Sequence, residues 1–95
     1  MNDIRQQLYS KIFIELPKLA VSQGWAVTLN HCIGRIVYDS VMRCKWSEKV
    51  KSPFYKNADD SNIEKALEVC DRLKVEGKLL ADRLNVESLG YRSKN

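Results

Sequence analysis

An apolar seam in the last third of the chain restricts the fold more than any other feature. Seven apolar or small residues follow one another there at alternating spacings of three and four: Ile63, Ala66, Cys70, Leu73, Gly77, Leu80 and Leu84. On an α-helix this spacing places all seven on one side. A helix of this kind buries its apolar side lengthwise against another helix, so the seam predicts helix-on-helix packing.

The ends of this helix are predicted from its flanking residues. Ser61, with Glu64 three residues later, fits the capping-box pattern of a helix N-terminus. We predict that the helix continues to about Leu89 and that Gly90 ends it. Gly77 lies inside the seam, where glycine costs ~1 kcal/mol relative to alanine. It marks either a close crossing of two helices or a weak point in this one.

The N-terminal segment predicts another helix. Its apolar residues fall three or four positions apart: Ile4, Leu8, Ile12, Leu16 and Leu19. Pro17 lies within this pattern. Because proline lacks an N–H group and its ring meets the preceding turn, it must either kink the helix or follow a break. Gly24 is predicted to end the segment in a left-handed conformation.

The middle of the chain predicts a third helix and a short helical turn. Thr28 or Asn30 can cap this helix, which should run to about Cys44–Trp46. Ser52-Pro53 is typical of the start of a short helical turn. We therefore predict an all-α fold, a small bundle of three main helices plus a short helical turn, in which the 95 residues form a single helical domain.

The composition argues against several classes of protein. No apolar run approaches the ~20 residues of a membrane-spanning helix, so we expect no membrane partner. The three cysteines, Cys32, Cys44 and Cys70, would leave one thiol over from any disulfide, which favours reduced thiols and a cytoplasmic location. With a single histidine in the chain we expect no zinc site, and we predict no metal or cofactor.

The positive charge of the chain is concentrated in one segment. The net charge is +4, and residues 43–56 carry five basic side chains against one acidic side chain. The basic ones are Arg43, Lys45, Lys49, Lys51 and Lys56. Such a patch either attracts phosphates or an acidic partner, or is a solvated connector. Because Phe54 and Tyr55 lie among these charges, single-stranded nucleic acid is an alternative partner, although not the favoured one.

The stretch from Thr28 to Trp46 has two different sides on a helical wheel. One side is suited to the core and holds Cys32, Ile33, Ile36, Val37, Ser40, Val41 and Cys44. The other side is polar and aromatic, within an arc of about 100°, and holds His31, Arg35, Tyr38, Asp39, Met42 and Trp46. A purely solvated face would not usually include tyrosine, methionine and tryptophan. We therefore expect this side to be covered as well, by another segment or by a ligand.

Two interpretations of the polar side are open. In the structural one, Arg35 pairs with Asp39, His31 bonds a backbone carbonyl and Trp46 covers them, because buried polar groups need hydrogen-bond partners. In the functional one, Arg35 and His31 bind an anionic or planar ligand, Tyr38 and Trp46 wall the pocket, and Asp39 orients Arg35. The candidate ligand-binding residues are therefore His31, Arg35, Tyr38, Asp39 and Trp46.

No catalytic residue is predicted. His31 and Asp39 lie eight positions apart on one helix, too far for a direct bond, and no strained nucleophile turn is visible. Cys32 is adjacent to His31 but belongs to the core side, where burial among aliphatic groups makes a thiol inert. We therefore expect a protein that binds rather than an enzyme.

A resemblance adds a further expectation. It is carried by Asn30-His31-Cys32, Arg35-Ile36, Asp39, Trp46, Pro53, Tyr55, Leu84-Asn85, Ser88-Leu89 and Tyr91-Arg92. This pattern, from Trp25 to Arg92, resembles a group of small, uncharacterised bacterial proteins. The resemblance implies that five residues belong together, with Asn85 and Arg92 brought alongside: Asn30, His31, Arg35, Asp39 and Trp46. Members of the group are sometimes labelled GNAT-type acetyltransferases, which implies a mixed sheet and a glycine-containing loop for coenzyme A.

The favoured hypothesis is a small binding or interaction module that holds a small anionic ligand or a protein partner. A homodimer is a further expectation, because a small helical domain with a long seam gains stability by pairing. Nucleic-acid binding through residues 43–56 is one alternative. A transferase of the acetyltransferase type, or an accessory to one, is the other.

Overall fold

The computed structural model describes residues 3–93, and every regular element in this range is helical. The α-helices are α1 (Ile4–Ser10), α2 (Leu16–Gln23), α3 (Asn30–Met42), α4 (Phe54–Asn57), α5 (Asp60–Glu76) and α6 (Lys78–Arg92). A π-helical turn (Lys11–Glu15) joins α1 to α2, and a 3₁₀ turn (Trp46–Glu48) follows α3. The predicted all-α bundle is confirmed. None of the helices in this range combines the length and apolar character that spanning a bilayer requires.

Pro17 does not break the first helix, because a π-helical turn precedes it. The N–H of Leu16 donates to the carbonyl of Lys11, five residues back instead of four. This wider turn is a known way of accommodating a residue that cannot continue the ordinary ladder of hydrogen bonds. The chain therefore stays helical from Ile4 to Gln23. Gly24 ends it in the predicted left-handed conformation, with φ of 69°.

The predicted helix starts and ends were less accurate. Leu29 is the N-cap of α3, without a side-chain cap, so the prediction of Thr28 or Asn30 as cap is wrong. The helix also ends earlier than predicted, at Met42, because Arg43 adopts a left-handed conformation with φ of 57°. Capping patterns locate a helix end only within a residue or two, since several neighbouring polar residues can serve.

Two further starts differ in the same way. α5 begins at Asp60, before the predicted cap Ser61, and no side chain caps it. A carboxylate in the first turn is itself favourable there, because it faces the positive end of the helix dipole. α4 begins at Phe54, with Pro53 as its N-cap rather than its first residue.

Gly77 divides the long helix predicted from the seam into α5 and α6. Its φ of 69° and ψ of −141° lie in a region that is open essentially to glycine alone. The bundle therefore has one more main helix than the spacing predicts. α6 continues through Gly90 to Arg92, so the prediction that Gly90 ends the helix is also wrong.

The seam itself is buried as predicted. The hydrophobic core includes four seam residues of α5 and two of α6: Ile63, Ala66, Cys70, Leu73, Leu80 and Leu84. Both halves of the divided helix contribute to the same core, so the apolar spacing continues across Gly77. Burial raises the pKa of the Cys70 thiol to about 12, which makes this cysteine unreactive.

α3 lies against most of the other helices, and it has a core side and a polar side. It contacts α5, α6, α2 and the π-helical turn. Ile33, Ile36 and Val37 on its core side are fully buried. Cys32 and Cys44, which the helical wheel places on that side, are only half-buried. The reason for Cys44 is that the helix has already ended when the chain reaches it.

Candidate functional site

Four of the five predicted ligand-binding residues line one cleft. His31, Arg35 and Tyr38 lie along α3, and Trp46 comes from the 3₁₀ turn that follows it. The cleft has a volume of about 190 Å³. Asp39, the fifth predicted residue, is fully buried and does not line the cleft. The spacing of three and four residues on α3 is what directs these side chains to a common side.

The opposite wall of the cleft comes from residues that were not among the predicted ligand-binding residues. Residues 52–55 line the cleft together with α3, and Phe13 on the π-helical turn also contributes to its wall. Gly34 forms part of the α3 wall. A Cβ atom at this position would lie 3.1 Å from Cε2 of Tyr38, so the tyrosine ring leans closely over the glycine.

Stacked and edge-on aromatic rings hold the cleft walls in place. Tyr38 stacks on Phe54 with ring centroids 4.0 Å apart, and Trp46 meets Tyr38 edge-on at 5.5 Å. Trp46 also meets Phe54 edge-on at 5.8 Å. Aromatic pairs of this kind contribute about 0.5–1.5 kcal/mol each beyond the burial of their surface. The rings therefore fix the 3₁₀ turn and α4 against α3.

The hydroxyl group of Tyr38 is buried and has no hydrogen-bond partner among residues 3–93. Burial is also the main cause that raises the pKa of this phenol far above its usual range, so the group stays protonated and able to donate. A buried polar group without a partner costs about 1–3 kcal/mol. Such groups are uncommon in folded proteins, and each one calls for an explanation.

Asp39 is the centre of a buried polar network between α3 and α6. Its Oδ1 accepts a hydrogen bond from the backbone N–H of Trp46 at 2.9 Å, and its Oδ2 accepts one from Oγ of Ser88 at 2.6 Å. Arg92 donates to both oxygens, from Nε at 2.8 Å and from Nη2 at 3.1 Å. The carboxylate thus ties the 3₁₀ turn and the end of α6 to the C-terminal part of α3.

The structural interpretation predicted that Arg35 pairs with Asp39, and this prediction is wrong. Its Nη1 donates to Oγ of Ser88 at 2.8 Å, and its Nη2 donates to Oδ1 of Asn85 at 2.7 Å. Arg35 therefore reaches Asp39 only through Ser88, because Arg92 already occupies the carboxylate. Both partners of Arg35 are neutral. Within the part of the chain that the structure describes, no carboxylate forms an ion pair with it.

His31 lies at the exposed edge of the cleft. The structural interpretation predicted a bond from His31 to a backbone carbonyl. No such bond exists between residues 3 and 93. The polar side of α3 thus has two parts. At Asp39 it takes part in a buried hydrogen-bonded network, and at His31 it is exposed at the edge of the cleft.

The side chains that α6 contributes were named only through the resemblance, which implied that Asn85 and Arg92 lie beside the polar side of α3. The structure places both there, with Ser88 between them. A signal for this face was present in the sequence. Asn85, Ser88 and Arg92 are spaced by three and four residues, so they form a polar stripe on one side of α6.

All five residues of the basic patch are exposed: Arg43, Lys45, Lys49, Lys51 and Lys56. Arg43 and Lys45 line a second, polar cleft of about 290 Å³ together with Glu48 and Arg92. The aromatic residues of the patch are placed differently from the prediction. Phe54 is 1% exposed and cannot stack on a base, while Tyr55 is half-buried against Tyr9 and Phe13.

The chain matches no family model, no curated protein and no solved structure. The resemblance to small bacterial proteins stays a prediction. The mixed sheet that the acetyltransferase label implies is not found in residues 3–93, where every regular element is helical. Since an all-α bundle by itself does not define a function, the cleft and the network are the features that bear on it.

Proposed function

We propose that the protein is a small binding module and that its site is the cleft between α3 and residues 52–55. The single observation that carries this proposal is the composition of the cleft. The side chains that the α3 spacing brings together form its wall, and one of them, Tyr38, holds a buried hydroxyl without a partner. Largely apolar clefts with a few convergent polar groups are the usual form of a small-molecule site.

The network under the cleft supports this proposal through rigidity. Asp39 and Arg35 fix α3 to α6 by side chains, and Asp39 also fixes the start of the 3₁₀ turn. A site whose walls are already in place loses less conformational freedom when a ligand binds. The buried hydrogen bonds of the network therefore hold the walls of the cleft in position.

A titration of the ¹⁵N-labelled protein with single-ring compounds tests the proposal. We use phenol, indole and benzoate, and we expect at least one of them to shift the amide signals of His31, Gly34, Trp46 and Tyr55. For compounds of this size a dissociation constant of about 1 mM is expected, which corresponds to about −4.1 kcal/mol. His31→Ala should weaken the binding, whereas Lys49→Ala, an exposed residue outside the cleft, should not. The highest concentration, about 10 mM, is about ten times the expected dissociation constant. If none of the three compounds caused localised shifts at that concentration, the cleft would not be a binding site.

Nucleic-acid binding is a second candidate, which the exposure of all five basic residues favours. With Phe54 buried, this binding would rest on phosphate contacts, so it should be weak, sequence-independent and lost as salt increases. A gel-shift titration with a 20-nucleotide single strand in 50 mM salt measures it. We expect a shift that disappears by 200 mM salt. No shift at the lower salt would exclude this candidate.

The remaining expectations on partners and location keep the status of predictions. The three cysteines are free thiols, which is compatible with the proposed cytoplasmic location. Leu79 and Val86 on α6 are strongly exposed apolar residues, which is compatible with the proposed homodimer.

A further inference from the structure

The size of the cleft restricts its ligand to a single ring with a small substituent. Its volume of about 190 Å³ is only slightly larger than the ~150 Å³ of an apolar cavity that holds benzene. Sites for drug-sized ligands are larger, about 300–1,000 Å³. A nucleotide or a coenzyme would therefore lie mostly outside this cleft.

The walls of the cleft favour an aromatic ring. Five aromatic residues contribute to these walls: Phe13, Tyr38, Trp46, Phe54 and Tyr55. The mutual arrangement of the rings, at centroid distances of 4.0–5.8 Å for Tyr38, Trp46 and Phe54, is the one in which aromatic groups stack or meet edge-on. A further aromatic ring can continue this arrangement, whereas a flexible aliphatic chain would lose more entropy on binding.

The charge at the cleft favours an anion. Among residues 3–93, the buried Asp39 forms its ion pair with Arg92 and not with Arg35, whose two guanidinium bonds go to the neutral Asn85 and Ser88. Arg35, a half-buried cation in the cleft wall, is therefore left with its positive charge unbalanced by direct contact. The bonds to Ser88 and Asn85 use two of the five N–H groups of Arg35, which leaves Nε and one hydrogen on each Nη able to donate to a carboxylate.

Building on the proposed binding function, we propose that the ligand is a small aromatic carboxylate. Its ring lies among the aromatic walls, its carboxylate faces the guanidinium group of Arg35, and the hydroxyl of Tyr38 donates to it. The unpartnered hydroxyl of Tyr38 and the guanidinium of Arg35, which has no carboxylate partner among residues 3–93, are then parts of one site. A charge-assisted bond from arginine to carboxylate is stronger than a neutral one.

The test compares benzoate with benzamide, which has the same ring and size but no charge. We expect the wild-type protein to bind benzoate at least 10-fold more tightly, as measured by amide shifts at low ionic strength. Arg35→Met should bring this ratio close to one, while Arg83→Met, on the exposed side of α6, should leave it unchanged. Circular dichroism checks that both variants are helical.

Equal binding of benzoate and benzamide by the wild type would overturn the proposal of a carboxylate ligand but not the proposal of a binding module. Binding of neither compound, nor of phenol or indole, would overturn both.

Tyr38→Phe separates the hydroxyl from the ring. We expect a 5- to 10-fold loss of benzoate affinity together with a higher unfolding temperature of the ligand-free protein, because the variant lacks the unpartnered buried group. A hydroxyl that served only the fold would change the unfolding temperature but not the affinity. Unchanged affinity for benzoate would therefore overturn the assignment of Tyr38 as a donor to the ligand.

Discussion

Asp39→Ala is expected to lower the free energy of unfolding by about 3–5 kcal/mol, the cost of removing one partner from a buried ion pair. The substitution leaves the N–H of Trp46, the hydroxyl of Ser88 and the half-buried guanidinium of Arg92 without their acceptor. Since small domains have a total stability of about 5–15 kcal/mol, this is a large fraction. Thermal unfolding followed by circular dichroism should show a midpoint lower by about 12 °C or more.

Asp71→Ala is the matched control for this prediction. Asp71 also pairs with a cation, Lys11, but at 3.3 Å and with 67% of its side chain exposed. Exposed pairs contribute only about 0–1 kcal/mol, so the control should unfold within a few degrees of the wild type. If Asp39→Ala were no more destabilising than Asp71→Ala, the buried network would not be what joins α3 to α6.

Gly77→Ala is expected to destabilise the protein by about 2 kcal/mol. A side chain at a position with φ of 69° and ψ of −141° costs roughly 1–3 kcal/mol. In addition, the new Cβ would lie 2.7 Å from Oε1 of Gln23, the atom that accepts a hydrogen bond from the indole of Trp25 at 2.8 Å. Gln23 is exposed and flexible, so it can turn away from the new Cβ, and the added cost is the loss of its hydrogen bond to Trp25. Urea unfolding measures the effect as a lower midpoint with an unchanged slope.

Gly90→Ala should have the opposite sign. Gly90 lies within α6, and a Cβ there would meet no atom within 4 Å. Alanine in a helix is more favourable than glycine by about 0.5–1 kcal/mol, so this variant should be stabilised. Two glycines of the same region would then respond in opposite directions to the same substitution. A stable Gly77→Ala variant would contradict the division of the helix at that residue.

The reason that the division at Gly77 could not be predicted is the continuity of the apolar spacing. Leu73 and Leu80 lie on the two sides of the glycine, and both face the same core. Periodicity records which residues are buried, but it does not distinguish one continuous helix from two helices divided by a glycine. The burial of the seam was therefore predictable from the sequence, whereas the number of helices was not.

The polar network shows a similar limit. The spacing of four residues between Arg35 and Asp39 allows a bond on one helix, and this local rule predicted their pairing. In the structure Asp39 pairs with Arg92, which lies 53 residues away. Which of several arginines reaches a carboxylate depends on how the helices pack, and a single sequence does not contain that information.

The cleft was half predictable. Its α3 wall follows from helical spacing, because His31, Arg35 and Tyr38 must lie on one side of a helix. The opposite wall, Phe13 and Tyr55, depends on the path of the chain between α3 and α5 and on the π-helical turn. No periodic pattern marks these segments, so their contribution becomes visible only in three dimensions.

A crystal structure of the protein grown with benzoate tests the central claim most directly. We predict an ordered ring between α3 and residues 52–55, with a carboxylate oxygen at about 2.7–2.9 Å from a guanidinium nitrogen of Arg35. Benzoate bound elsewhere, or a cleft closed by the side chain of Trp46, would contradict it.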